Sequence, residues 1–565
     1  MQIEKPLLWS AETPNLYNAV VQLEIEDKTG KNDSSPVEIR FGIRNIDIVN
    51  HKGMIVNNKA VKLKGVCLHH DAGITGSAYY DAVWRRRLLT LKSLGCNAIR
   101  TSHNPPAEEF LDLCDELGFY VLDECFDKWK SGCYAEIFET DARRDLTDMI
   151  LRDRNHPSVF MWSIGNEVEN QGTSGMISLQ KKLTDIARSI DTRPVTCALS
   201  PHANPRSLVV APVSELVKLT KKLAKDVDVL GLNYHEPLYQ HYTEKIDRPI
   251  LGTECYGYYS SVDTNFEDVC DKNPWSFVLE SGNVIGQFIW AGIDYLGECS
   301  WPAKGWTGSI LDICGFMKPN AYFRKSIWSD EKMIYLAFYD QNVKPNYARG
   351  RWSFPSMTSH LNHEHFIRRT VTAAIFTNCD EAELWINGKK LGRRNRSDFK
   401  NGIIEWTFEY QQGEIEVKGF NKGKAGVGDK ASGEICSYRL KTAGQPKKIC
   451  LLPDRTILSP GDIAHIEVNI TDKDGILCPN EDVLVEFAIK ENARKKQVSQ
   501  LKQASRILGA CSPDLNQSLG FTLPKTVTSG GRALVMIKAG DTEGDIELSA
   551  YCEKLKKSSI RFMTK

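Results

Sequence analysis

The chain has 565 residues, of which 41% are hydrophobic and 25% charged, and its 72 basic and 72 acidic side chains cancel. That length exceeds what one core can fill and predicts three to five domains. The charge balance argues against nucleic acid or an anionic membrane surface as a partner, and no apolar run is long enough to span a bilayer.

Residues 1 to 50 read as part of a β-sandwich. Leu16 to Ile25 alternates like a half-buried strand, Asp27 to Ser35 is a polar turn, and Val37 to Ile48 holds further strand. The first residues, Met1 to Pro6, carry neither a basic nor an apolar leader region, so no signal peptide is expected in this chain.

From 51 to 342 short apolar runs alternate with helical segments, the pattern of repeated βα units. Eight strands are predicted, at 61–66, 97–102, 119–123, 159–165, 194–199, 227–233, 249–253 and 284–290. Between them, Ala82 to Leu94 is a helix with Trp84, Leu88 and Leu91 on one face, stopped by Gly95. Ala107 to Leu117 is a helix stopped by Gly118, and Thr140 to Arg154 is one opened by a Thr-Asp cap. Eight such strands fit a (β/α)₈ barrel.

Beyond 342 the pattern returns to β structure, in one module over 343–445 and a second over 446–565. Val371 to Phe376 and Ala382 to Ile386 are strands, and Asn387-Gly388 is a hairpin turn. In the last module Ile466, Val468 and Ile470 alternate, and further strands are Val483 to Phe487, Ala533 to Ile537 and Ile546 to Tyr551. These two modules are read as spacers that pack on the barrel or join copies into a homo-oligomer, ahead of carbohydrate-binding modules. The 16 cysteines form no CxxC pair and no Cys/His zinc spacing. They are read as mainly buried thiols, a weak argument against an oxidising compartment.

The barrel strands end on His69-His70-Asp71, His103-Asn104, Asp123-Glu124, Asn166-Glu167, Asn233-Tyr234-His235, Glu254 and Trp290. One polar strand end is explained by solvation. Seven of eight are not, because the C-terminal ends of all barrel strands share one opening. Glu167 ends the fourth strand and Glu254 the seventh. Two carboxylates across a barrel mouth suit glycoside hydrolysis, one protonating the leaving oxygen while the other attacks or positions water. Trp162 is an apolar neighbour that could raise the acid's pKa. Trp290 could floor a sugar subsite, and Trp301, Trp306 and Trp328 are candidates for an aglycone subsite. His69, His70 and Asp71 could instead hold a cation, but no HxxxH or HExxH motif supports a metal, and no metal or cofactor is assigned. There is no GxSxG elbow and no Gly-rich phosphate loop.

The segments Arg154 to Glu167, Asn97 to Pro105, Gly65 to Asp71, Val121 to Glu124 and Leu8 to Tyr17 together resemble glycoside hydrolase family 2. The likeness is closest to its multidomain β-galactosidases of Bacteroidetes type, supported by Asp294 to Glu298 and Ser309 to Lys318. The resemblance implies retention of anomeric configuration, with Glu167 as acid/base, Glu254 as nucleophile and Asn166 on the sugar 2-hydroxyl. It implies sugar contacts at His69, His103, Tyr234 and Trp290, a carbohydrate as the substrate partner, and a periplasmic or extracellular location. It also implies an N-terminal jelly roll, which this sequence lacks. Cys125 to Lys130 replaces the family's Glu-x-His magnesium motif, Glu254 lacks the following histidine of some galactosidases, and no Asn-x-Lys of the glucuronidases is apparent. Expected activity is therefore β-galactoside hydrolysis, with another β-glycosidase of the family, or sugar binding without turnover, as alternatives.

Overall fold

The computed structural model describes residues 3–22, 36–201, 212–258, 272–343, 354–422, 433–493 and 503–565. The turn predicted at Asp27 to Ser35 lies outside them. The chain forms two compact units, one of Met1–His70, Cys96–Tyr256 and Pro274–Trp290, the other of Asp71–Gly95, Gly257–Asn273 and Ala291–Lys565.

The first unit contains a closed barrel of eight parallel strands. They are β1 (Leu63–Leu68), β2 (Ala98–Thr101), β3 (Tyr120–Glu124), β4 (Val159–Asn166), β5 (Val195–Leu199), β6 (Leu230–Asn233), β7 (Ile250–Cys255) and β8 (Val284–Ile289). Each lies beside the next in chain order, and β8 closes on β1 with Gly286 opposite Leu63 and Ile289 opposite Val66. All eight residues of β4 are buried, as its apolar sequence requires of a strand covered on both faces. The predicted (β/α)₈ barrel is therefore present.

The N-terminal segment belongs to the same unit. Tyr17–Val21 pairs antiparallel with Val37–Phe41. Trp9, with no exposed surface, donates its indole N–H to the Asp115 carbonyl at 2.8 Å and meets Tyr120 edge-on at 5.7 Å. The helix Glu108–Leu117 stops at Gly118, whose φ of 76° suits glycine and whose missing Cβ leaves room for the Ala11 carbonyl. The helix predicted to open at Thr140 begins two residues earlier, at Phe138. Phe138 is buried against Trp129 and Phe126, with ring centroids at 6.2 and 5.9 Å, and this apolar anchor outweighs the cap. Thr140 Oγ1 instead donates back to the Ile137 carbonyl at 2.9 Å.

A buried His156–Asp115 pair, Nδ1 to Oδ2 at 2.7 Å, fastens the loop before β4. Burial alone would lower the imidazole's pKa, but the hydrogen bond and charge of Asp115 outweigh it and raise it above the usual 6.5. A raised folded-state pKa stabilises the fold fully below the unfolded value and loses that contribution as pH rises through the folded one. We therefore predict that the Tm advantage of the wild type over His156→Gln is largest near about pH 6 and shrinks toward about pH 9. An advantage that grows with pH would refute the assignment.

The second unit includes the helix Asp81–Ser93, which buries Trp84, Leu88 and Leu91 as its spacing predicts. It also holds two four-stranded antiparallel sheets. One orders Met357–Thr358, β9 (Ile334–Tyr339), β10 (Thr370–Thr377) and Ile403–Glu409; the other orders Lys389–Asn395, Glu381–Ile386, Glu414–Phe420 and Cys436–Lys441. Leu336, Phe338, Ile375, Leu384, Ile404 and Val417 share one core between them. Asn387 and Gly388, at φ 48° and 78°, make the predicted hairpin turn. A nine-stranded sheet follows, where Ile466, Val468 and Ile470 are fully buried in one core. Trp328 is only 1% exposed, which removes it as a candidate for lining a sugar subsite, whereas Trp301 is 90% exposed. Among the described residues no helix is long and apolar enough to cross a membrane.

Candidate active site

The site is built on the C-terminal ends of the barrel strands of the first unit. Glu167 follows directly on β4 in a left-handed conformation, φ 43°, and its backbone N–H donates to the Ala198 carbonyl at 2.8 Å. The turn is seated from behind: a Cβ at Gly165 would fall 2.6 Å from the Trp129 indole nitrogen, which itself donates to the Ile164 carbonyl at 2.8 Å. Tyr234, one residue past β6, is likewise left-handed at φ 59°. Two non-glycine residues held at positive φ, at the ends of β4 and β6 on either side of β5, mark a mouth shaped by packing rather than by local preference.

Glu254, near the end of β7, is 5% exposed. Its Oε1 accepts from Arg100 Nη1 at 2.8 Å and its Oε2 from the Tyr234 hydroxyl at 2.8 Å. Arg100, on β2, has no exposed surface and is the centre of the network. It grips Glu124 in a two-point fork, Nε to Oε2 at 3.0 Å and Nη2 to Oε1 at 2.8 Å. Nη2 also donates to Asn166 Oδ1 at 3.0 Å, and Nη1 to the Thr253 carbonyl at 3.0 Å. Burial would raise the Glu124 pKa, but Arg100, His103 and Ser163 outweigh it and hold the carboxylate below its usual 4.5.

Asn166 links the two carboxylates of interest. Its Oδ1 accepts from both Arg100 and Asn233, each at 3.0 Å, and Asn233 Nδ2 also donates to Glu167 Oε1 at 3.3 Å. A continuous path of polar contacts thus runs from Glu254 through Arg100, Asn166 and Asn233 to Glu167. The Glu167 side chain is 34% exposed, and the Lys128 ammonium stands 4.0 Å from it. Asn166 Nδ2 donates to Asp127 Oδ1 at 3.0 Å.

His69, His103 and Trp290 make an aromatic corner. Trp290 lies parallel to the His103 ring, 5.2 Å and 6° apart, and edge-on to His69 at 5.3 Å. His103 Nδ1 is 2.7 Å from Glu124 Oε1. Burial, with His103 and Arg100 nearby, pushes the His69 imidazole down to about 4, leaving it neutral at neutral pH.

The structure thus brings Glu167, Glu254, Asn166, His69, His103, Tyr234 and Trp290 to one barrel mouth. Trp162 does not join them. Its indole N–H donates to Asp191 at 3.2 Å and Arg193 covers its ring, so it has no part in the surroundings of Glu167. Asn104 is exposed, and His235 is buried against the Tyr242 hydroxyl at 2.8 Å. Sequence reasoning placed Asn233 at a strand end of the mouth but missed Arg100, Asp127 and Lys128 as partners. Arg100 was discoverable: a charged residue inside an apolar strand is almost always paired.

Known proteins resemble this chain over its whole length. The model for the family 2 glycosyl hydrolase TIM barrel domain matches residues 47–262, the general family 2 model 1–44, and family 2 C-terminal domain 5 matches 449–561. A domain of unknown function matches 369–426. A β-galactosidase of Bacteroides ovatus is 31% identical over 99% of this chain and 68% of its own length. A putative β-glucuronidase of Formosa agariphila is 29% identical over 80% of this chain, which spans 43% of that protein. A solved family 2 glycosyl hydrolase of Bacteroides cellulosilyticus superposes with a TM-score of 0.85 at 30% identity, covering 99% of this chain and 69% of its own. With the barrel, the residues at its mouth and these relatives in agreement, the chain belongs to glycoside hydrolase family 2.

Proposed function

We propose that the chain is a retaining exo-β-glycosidase that releases terminal β-galactose from oligosaccharides. The observation that carries the reading is the contrast between its two carboxylates. Glu254 is buried, with one oxygen on a guanidinium and the other on a phenol, which fixes its direction and complements its negative charge. That is what an attacking carboxylate needs. Glu167 sits at the rim, one-third exposed, touched by the Asn233 amide and 4.0 Å from the Lys128 ammonium. That suits a group which must give a proton to a leaving oxygen and then take one from water. Asn166, between them, would hold the 2-hydroxyl, and the Trp290 indole would floor the ring. The galactoside assignment rests on the B. ovatus relative. A β-glucuronidase reading is favoured by one observation, the Lys128 ammonium at the mouth, which pairs with Asp127 Oδ1 at 2.9 Å and would have to turn from it to meet an anionic sugar.

The test is a panel of nitrophenyl β-galactoside, β-glucuronide and β-mannoside with the wild type and Glu167→Ala. Turnover on the galactoside above the other two is expected. Glu167→Ala should lose about 10²–10⁴-fold on a poor leaving group that needs protonation, and far less on a dinitrophenyl glycoside. Added azide should restore its rate by forming a β-glycosyl azide. Preference for the glucuronide would overturn the substrate. An equal loss on both leaving groups, without rescue, would overturn the role of Glu167. Calorimetric binding without nitrophenol release would leave a sugar-binding protein.

A further inference from the structure

The sequence reading sought Cys/His spacing and assigned no metal, yet the sheet region of the second unit gathers two imidazoles on one buried carboxylate. Asp340 follows directly on β9 and is 4% exposed. His363 and His365 flank the start of a short 3₁₀ turn, Glu364–Phe366. One ligand atom from each of Asp340, His363 and His365 lies within 4.8 Å of the other two.

Both imidazoles face the one carboxylate at the long end of hydrogen-bond range. His365 Nε2 is 3.2 Å from both Asp340 oxygens, and His363 Nδ1 is 3.5 Å from Oδ2. Elsewhere among the described residues imidazole–carboxylate separations run from 2.7 Å in His156–Asp115 and His103–Glu124 through 3.0 Å in His465–Asp454 to 4.0 Å in His51–Asp247. What sets this cluster apart is that two imidazoles share one buried carboxylate, at separations that also match the edges of a coordination shell. Metal–ligand bonds of about 2.0–2.1 Å give a tetrahedron whose edge is about 3.3–3.4 Å. The outer contacts agree. Nε2 of His363 meets Thr358 Oγ1 at 2.9 Å, which fixes the ring; with the Nε2 proton donated there, Nδ1 carries the lone pair a metal needs. The His363 ring is also held from the side by His360, stacked at 3.9 Å. His360 Nδ1 accepts the Asn362 backbone N–H at 3.2 Å, so that ring supports the cluster without being part of it. The His365 side chain is 37% exposed, which provides an entry path and room for water as a fourth ligand.

We propose that Asp340, His363 and His365 bind a divalent transition metal of zinc type, tying the end of β9 to the turn at 364–366. Two imidazoles and a carboxylate, without thiolate or further oxygens, favour zinc over calcium or magnesium.

The experiment uses the full chain, stripped with EDTA, loaded with zinc chloride and passed through gel filtration before metal analysis. One zinc per chain is expected. Cobalt loading should give the bands of a tetrahedral nitrogen/oxygen site without thiolate charge transfer. Asp340→Asn and His365→Gln should each weaken zinc binding at least about tenfold, and Thr358→Val by about 10–100-fold through the loss of the ring's outer partner. His360→Gln should retain the metal. His365 is part-exposed, so His365→Gln gives a folded comparison even if Asp340→Asn does not; circular dichroism in EDTA checks this. Zinc uptake that is absent in the wild type, unchanged in His365→Gln, or marked by thiolate bands would overturn the proposal.

Discussion

Replacing Glu254 by glutamine is expected to reduce turnover on a nitrophenyl galactoside by on the order of 10⁴–10⁶-fold, the scale seen when an attacking group is removed. The amide keeps the size of the carboxylate and its place between Arg100 and Tyr234, but it cannot form a glycosyl ester. The fold should survive the change. Arg100 keeps its two-point contact with Glu124, so the substitution leaves no buried cation unpaired. Melting within a few degrees of the wild type, with sugar binding retained in calorimetry, completes the expectation. Near-normal hydrolysis by this variant would sink the assignment of Glu254.

The second large effect is predicted for Arg100→Met. This side chain is fully buried and makes contacts with Glu124, Glu254, Asn166 and the Thr253 carbonyl. Removing it strands the Glu124 carboxylate without its cation, a change that costs about 3–5 kcal/mol of stability when a buried pair is broken. Activity should fall as well, because the link between Glu254 and Asn166 passes through one guanidinium. Arg100→Lys is expected to rescue stability in part but not activity, since an ammonium cannot reproduce the planar fork. Denaturant unfolding and turnover measured on both variants check this. Loss of stability with full activity in Arg100→Met would show that the guanidinium is scaffold alone.

Much of this was legible in the residues. Apolar runs at βα spacing give the barrel, because a strand covered on both faces has to be apolar along its length. The strand-end positions of Glu167, Glu254 and Trp290 follow from the topology, since parallel strands deliver all their C-terminal ends to one side. Three things were not legible. Thr140 looks like a helix cap, but local capping is worth about 1 kcal/mol and yields to the burial of Phe138. Trp162 is near Glu167 in sequence, but its side chain leaves the strand toward Asp191 and Arg193. The Asp340 cluster brings a short His-x-His pair, His363 and His365, to a carboxylate 23 positions before the first of them, and the pair alone does not announce that third group. In each case the deciding contact is a tertiary one that no local pattern displays.

The pairing of β8 with β1 bears on how the molecule assembles. Neighbouring barrel strands join residues such as Gly65 and Ala98, about one βα unit apart. The seam joins Leu63 to Gly286 instead. Chain entropy rises with the logarithm of the loop, so closing the seam costs roughly 1.5–2 kcal/mol more than pairing neighbours, and it can happen only after nearly the whole barrel has been synthesised. His69 lies just past the first strand of that seam and Trp290 just past the last. The aromatic corner is therefore expected to form in the final step of barrel folding. A nascent chain that stops short of residue 284 already holds both carboxylates, but has no closed ring of strands to aim them.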